Sequence, residues 1–222
     1  MGIFIGLEGI DASGKTTISL LLEQQLNDMG ISTKRLLKRY TDYDNVNLSN
    51  FSKSLKSLIW ECEDDILKCI PSQSWLYMHA IWYNVLTENL IKPKLKEYDV
   101  LIVDGWFYKL FSRFKLKTDF DNDLLNTISN SIIKCDKVFI LDTSPEVCWE
   151  RREKFKATEM GGYDFEIDDP KQSFIKYQNM VREQLLMISK NDDWGVVNSN
   201  DLSAEQLTNH LAKEIKYLID NR

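Results

Sequence analysis

Gly9 and Gly14 bracket Ile10-Asp11-Ala12-Ser13, and Lys15-Thr16 follow directly, so these eight residues fit G-x-x-x-x-G-K-[ST]. Residue types at that spacing suit the handling of phosphate. The glycines let the backbone curl until the N–H groups of Gly9, Ala12, Ser13, Gly14 and Thr17 point at phosphate oxygens. The Lys15 ammonium reaches the outer phosphates of a nucleotide, and the Thr16 hydroxyl is placed to ligate Mg²⁺. Asp11, inside the loop, would accept from or orient the hydroxyl of an acceptor, or brace the turn through an Asx contact. Glu8 lies on the acceptor side or braces the loop. The chemistry these residues suit is phosphoryl transfer, which asks a protein for positioning and charge neutralisation.

Such a loop works between a buried strand and a helix. Ile3 to Glu8 reads as the strand, and Ile18, Leu21, Leu22, Leu26 and Met29 recur at helical spacing behind the loop, with Gly30 as the stop. Ser32 to Arg39 reads as a second strand and Leu48 to Ile66 as a helical segment. A longer helix from Gln73 presents Trp75, His79, Trp82 and Leu86 on one face until Pro93 kinks or ends it. Asp99 to Asp104 and Lys137 to Asp142 are apolar strands that each end in a carboxylate. Asp121 or Asp123 caps a helix through Leu124 and Ile128. Ser144-Pro145-Glu146 opens another, which carries Glu150 to Lys156 into a polar stretch ending at Pro170. A helix through Phe174, Tyr177, Val181 and Leu185, a strand Gly195 to Asn198 and a helix opened by the Ser203-x-x-Gln206 capping box follow. Strands alternating with helices imply a parallel sheet covered on both faces. Its ligands would sit at the carboxyl ends of the strands, where Gly9, Arg39, Asp104 and Asp142 gather.

The net charge of −6 argues against broad nucleic-acid binding, and the run Lys34 to Arg39 is too short to offset it. Cys62, Cys69, Cys135 and Cys148 form no C-x-x-C pair, so a zinc site is not expected, and reduced thiols suit a cytoplasm-like compartment. Glu8 interrupts the first apolar run and no basic segment precedes it, which is unlike a secretory signal. No stretch is long and apolar enough to span a bilayer. The expectation is one soluble, cytoplasmic domain over residues 1–222, with neither a nucleic-acid nor a membrane partner.

Glu8 to Thr17 resembles the phosphate loop of the thymidylate kinase family, and the resemblance runs over nearly the whole length. The strand ending at Asp104, Leu141-Asp142 with Pro145-Glu146, an arginine-bearing lid and a final Asn-containing loop are also alike. The resemblance implies an α/β fold of the three-layer α/β/α P-loop NTPase type, with a parallel five-stranded sheet and a lid at about 151–170. It implies Mg²⁺ and ATP as cofactors, a small-molecule phosphate acceptor (a nucleoside monophosphate, dTMP or a relative), and pairing into a homodimer through helices. A kinase of an unphosphorylated nucleoside or other hydroxylated metabolite is a second reading, and a nucleotide-binding regulator with little turnover is a third.

The acceptor half departs from the family pattern. Gly105-Trp106 stands where the family follows Asp104 with Arg-Tyr, so Lys109 or Arg113 is expected to replace the missing guanidinium. His79 stands in place of a base-stacking Phe, and Trp82-Tyr83 in place of an Asp-Arg pair. Arg39 matches the arginine that grips the acceptor phosphate. Tyr83 and Trp106 are expected as walls for a planar acceptor, His79 as a pocket residue, and Asn198, with Asn200, as the adenine contact. Asp104 suits a metal–water contact. Because Ala12 is small, the transition-state cation is expected from the lid: Arg151 or Arg152, with Lys154 and Lys156 beside them and Gly161-Gly162 as hinge.

Overall fold

Ile3–Glu8 forms β1, buried along its whole length, and four more strands assemble around it in a five-stranded sheet. The computed structural model describes all residues except 63–65, 67, 68, 118, 119, 163 and 191–193. The strands are β2 (Thr33–Leu36), β3 (Val100–Asp104), β4 (Lys137–Asp142) and β5 (Gly195–Asn198), in the order β2-β3-β1-β4-β5 with every pairing parallel. Helices α1 (Lys15–Asp28), α2 (Val46–Trp60), α3 (Ser72–Leu86), α4 (Tyr108–Lys115), α5 (Asn122–Ser131), α6 (Pro145–Glu150), α7 (Pro170–Ser189) and α8 (Ala204–Asp220) cover both faces.

Alternation along β1 decides which layer each side chain meets. Ile3, Ile5 and Leu7 pack with Val100, Ile102, Phe139 and Leu141 against Leu22 and Leu26 of α1 and Leu211 and Ile215 of α8. Phe4 faces the other way, into a larger core with Leu76, Trp82, Phe107 and Phe174. Glu8 has the parity of Phe4, so the strand delivers a carboxylate, fully buried, to that second layer at its carboxyl end.

Local signals set the helix starts. The Asp121 carboxylate accepts from the N–H groups of Asp123 and Leu124, Ser144 Oγ accepts from Val147 N, and Ser203 and Gln206 form the reciprocal box. Gly30, at φ 80°, closes α1 as its position suggests, whereas the proline expected to kink or end α3 does not stop it. α3 passes through a π-helical turn, Thr87–Ile91, into Lys92–Lys94, so Pro93 does not end it. A wide turn ahead of a proline relieves the clash of its ring with the carbonyl four residues back.

Three further differences bear on the site. β2 is shorter than Ser32 to Arg39, because its pairing stops with Leu36 opposite Val103, and Lys38 and Arg39 leave the sheet. The expected helical segment to Ile66 closes at Trp60, and 63–65 lie outside the described residues. α6 ends at Glu150 and does not carry on to Lys156. Phe155 stacks on Trp149 with ring centroids 4.8 Å apart and packs on Phe174, which draws the chain off the helix axis.

Candidate active site

The phosphate loop lies between the end of β1 and the start of α1. Gly9 has φ 143°, and a Cβ there would stand 2.7 Å from the carbonyl oxygen of Leu141, so only glycine fits. Gly14, with φ 98°, starts the helix, and Ala12 also lies in the left-handed region at φ 62°. Lys15 is buried and donates to Gly9 O (3.0 Å), Ile10 O (2.6 Å) and Ser13 Oγ (3.2 Å). Burial, and then the nearby Lys109, lower its pKa to about 8.

Thr16 Oγ1 donates to Asp104 Oδ2 at 2.5 Å, bringing a hydroxyl and a carboxylate together at the mouth of the loop. Hard oxygen donors suit Mg²⁺, which takes few protein ligands and completes its shell from phosphates and water. Among the described residues no cluster of His, Cys, Asp and Glu would hold a metal unaided. The oxygen pair and the loop therefore fit Mg²⁺ bound together with a nucleotide.

Among the described residues the Asp11 carboxylate accepts from side chains and makes no Asx contact. Lys109 Nζ donates to its Oδ1 at 2.6 Å, Arg113 Nη2 to its Oδ2 at 2.5 Å, and Gln178 Nε2 to Oδ2 at 3.1 Å. Burial pushes this carboxyl up, but Lys109 and Arg113 outweigh it and hold the group well below the usual carboxylate range. Lys109 and Arg113, the two expected replacements for the missing guanidinium, are thus presented as a pair, one turn apart on α4. The apolar spacing of Phe107, Phe111 and Phe114 was the available signal for that helix. Gln178, which also donates to the carbonyl of Glu159, had no sequence signal.

Beyond Asp11 opens a cavity of about 680 Å³. Lys38, Arg39, Lys109, Arg113, Lys117, Arg152 and Lys156 line it against Glu8, Asp11, Glu159 and Asp164, so the cavity is locally cationic in an acidic protein. Lys109 and Arg113 pair with Asp11, Lys117 with Asp164, and Arg152 with Glu159. Arg39 lies over the ring of Trp60, 5.0 Å from its centroid. Lys38 Nζ makes no hydrogen bond or ion pair among the described residues, and burial and then Lys109 lower its pKa.

The aromatic residues divide by depth. His79 is buried beside Trp60, and its Nδ1 carries the proton, since its partner 2.8 Å away is the carbonyl of Trp75. Burial lowers its pKa to about 4, so the ring is a neutral wall. Tyr83 and Trp106 border the cavity but are built largely into the core: Trp106 donates its ring N–H to Ile133 O and its backbone N–H to Glu8 Oε1, both at 2.8 Å. Among the described residues Glu8 Oε2 has no hydrogen-bond partner, and burial raises the pKa of that carboxyl.

In the segment that follows α6, Arg151 Nη1 donates to Ala12 O at 3.3 Å and lies over the phosphate loop. Arg152 instead pairs with Glu159, lies 4.2 Å from the Phe155 ring centroid and lines the cavity. Glu150 pairs with Lys171 and not along its own helix. The pair Gly161-Gly162 is a packing position: a Cβ on Gly161 would meet the Tyr177 ring at 2.9 Å, and one on Gly162 would meet Ala157 at 3.0 Å. Asn198 Oδ1 accepts from Asn200, whose own Oδ1 accepts from Ser144 N, so this loop braces the start of α6 at the far edge of the site.

A family model described as thymidylate kinase matches residues 7–211. The chain is 25% identical to probable thymidylate kinase 2 of Saccharolobus solfataricus over 99% of its own length and 98% of that protein's. It is 27% identical to the thymidylate kinase of Prochlorococcus marinus over 100% and 99%. The solved structure of thymidylate kinase from Candida albicans superposes with a TM-score of 0.68 at 18% identity, covering 100% of this chain and 94% of that one. It shares the fold.

Proposed function

The chain belongs to the thymidylate kinase family, and from that premise we propose that its cavity takes a nucleoside monophosphate, dTMP first among them. It is an ATP-dependent kinase. The observation that carries the acceptor reading is the excess of Lys and Arg over Asp and Glu around a cavity walled by Trp60, Trp75 and Tyr83. An acceptor without a phosphate would gain nothing from those cations, and their concentration in a chain of net charge −6 is costly unless an anion meets them.

On this reading the backbone of Gly9, Ala12, Ser13, Gly14 and Thr17 holds the donor phosphates with Lys15. Thr16 and Asp104 hold Mg²⁺, which supplies charge neutralisation on those phosphates. Asp11 keeps Lys109 and Arg113 at the junction between loop and cavity, where acceptor and donor phosphates must meet. Arg151 stabilises charge on the donor side and Arg152 covers the acceptor. Asn198 borders the adenine. α2 and α3 pack together and leave Phe51, Leu58, Tyr77 and Ile81 exposed, an apolar face suited to a second copy of the chain. The free thiols suit work in the cytoplasm, and no helix among the described residues is long and apolar enough to cross a membrane.

ADP release from Mg-ATP, measured with dTMP, dUMP, other monophosphates, the matching nucleosides and no acceptor, tests this. The expected result is turnover that requires a monophosphate and is fastest with dTMP. Equal turnover of thymidine, or no stimulation by any acceptor, overturns it.

A further inference from the structure

We propose that Lys38 is a direct ligand of the acceptor's phosphate, seated by Gly105. The inference rests on the nucleoside monophosphate reading above and names a residue of that site.

An ammonium carries three N–H donors, and a half-buried one costs free energy unless they are met. Among the described residues none of the carboxylates near Lys38 accepts a hydrogen bond from it, and the second oxygen of Glu8 stays open. Asp104 takes the Thr16 hydroxyl, Asp11 takes Lys109 and Arg113, and Glu8 takes the backbone N–H of Trp106. Lys15 is turned into its own loop. Lys38 Nζ therefore lines the cavity with all of its donors unmet among the described residues.

The backbone makes room for it there. Gly105 follows Asp104 with φ 76°, and a Cβ on it would stand 3.2 Å from Lys38 Nζ. Trp82 donates its indole N–H to the Lys38 carbonyl at 2.8 Å, which fixes the loop after β2 so that the side chain enters the cavity. An ammonium with open donors, held near Lys109 in the cavity that Arg113 also lines, offers phosphate oxygens charge-assisted contacts.

Calorimetric titration of dTMP and of thymidine into the wild type, Lys38→Met and Lys38→Arg tests the assignment. The expected result is that Lys38→Met weakens dTMP about 10- to 100-fold and leaves thymidine unchanged, while Lys38→Arg recovers most of the dTMP affinity. Unchanged thymidine binding also shows that the variant pocket is folded. Equal weakening of both ligands, or of neither, overturns the role of Lys38 and leaves the monophosphate reading standing. A wild type that binds no dTMP overturns the reading itself.

Discussion

The indole N–H of Trp82 donates to the backbone carbonyl of Lys38 across 2.8 Å, joining the middle of α3 to the loop that leaves β2. Trp82 is buried, and it packs edge-on to Trp60, which in turn carries Arg39. One aromatic cluster thus supports two neighbouring cations that line the cavity. Trp82→Phe keeps most of the packing and removes the hydrogen bond, worth about 1 kcal/mol. The expected outcome is a rise of about fivefold in the acceptor KM with the KM for ATP unchanged. Steady-state kinetics with each substrate varied in turn checks it, and a parallel rise in both constants would show that Trp82 acts only on the fold.

Asp11 neutralises Lys109 and Arg113, so Asp11→Asn leaves two cations facing one another. Because the three side chains are partly exposed, the expected loss is about 2 kcal/mol at neutral pH, below that for a fully buried pair. The sign of its pH dependence follows from the depressed pKa of Asp11. Stability from this carboxylate is fully present above the unfolded value of about 3.9 and is lost as pH falls through the lower folded value. Urea unfolding of wild type and variant should therefore differ at neutral pH and converge in acid. A gap that persists undiminished at about pH 2 would locate the effect in packing.

His79 predicts a second pH effect. Its folded pKa of about 4 lies below the unfolded value of about 6.5, so the unfolded chain binds the extra proton between the two. Stability should fall as pH drops from about 6.5 to about 4, by roughly 2–3 kcal/mol, and be flat in this respect above. Arg39 and Arg113 add to the cost of protonation. Subtracting the pH profile of His79→Phe from that of the wild type isolates the contribution; identical slopes in that window would mean that His79 does not titrate as its burial requires.

Arg151 and Arg152 should separate kinetically. Arg151 lies on the phosphate loop and Arg152 lines the cavity proposed for the acceptor, so Arg151→Ala should lower kcat by on the order of 10²–10³ with little change in the acceptor KM. Arg152→Ala should mainly raise the acceptor KM. The reverse pattern would exchange their roles.

The phosphate loop, the strand order of buried and polar residues, and the helix caps were legible in the chain because each is a short-range rule. Two glycines, a lysine and a threonine at set spacing have few other uses, alternation along β1 sends Glu8 to the layer that holds Phe4, and caps act within one turn. The family resemblance was carried by those same local features. What pairs with what was not legible, because ion pairs join residues far apart in sequence and charge alone does not choose among partners. Only the tertiary structure decided that Asp11 would hold Lys109 and Arg113 from α4, that Gln178 would bridge it to the lid, and that α6 would stop at Glu150 so that Phe155 could stack on Trp149. It also decided that Lys38 makes no hydrogen bond or ion pair among the described residues. Lys38 reads in sequence as one of a basic run on a strand; it differs from its neighbours because β2 ends two residues earlier and Gly105 leaves room for its ammonium.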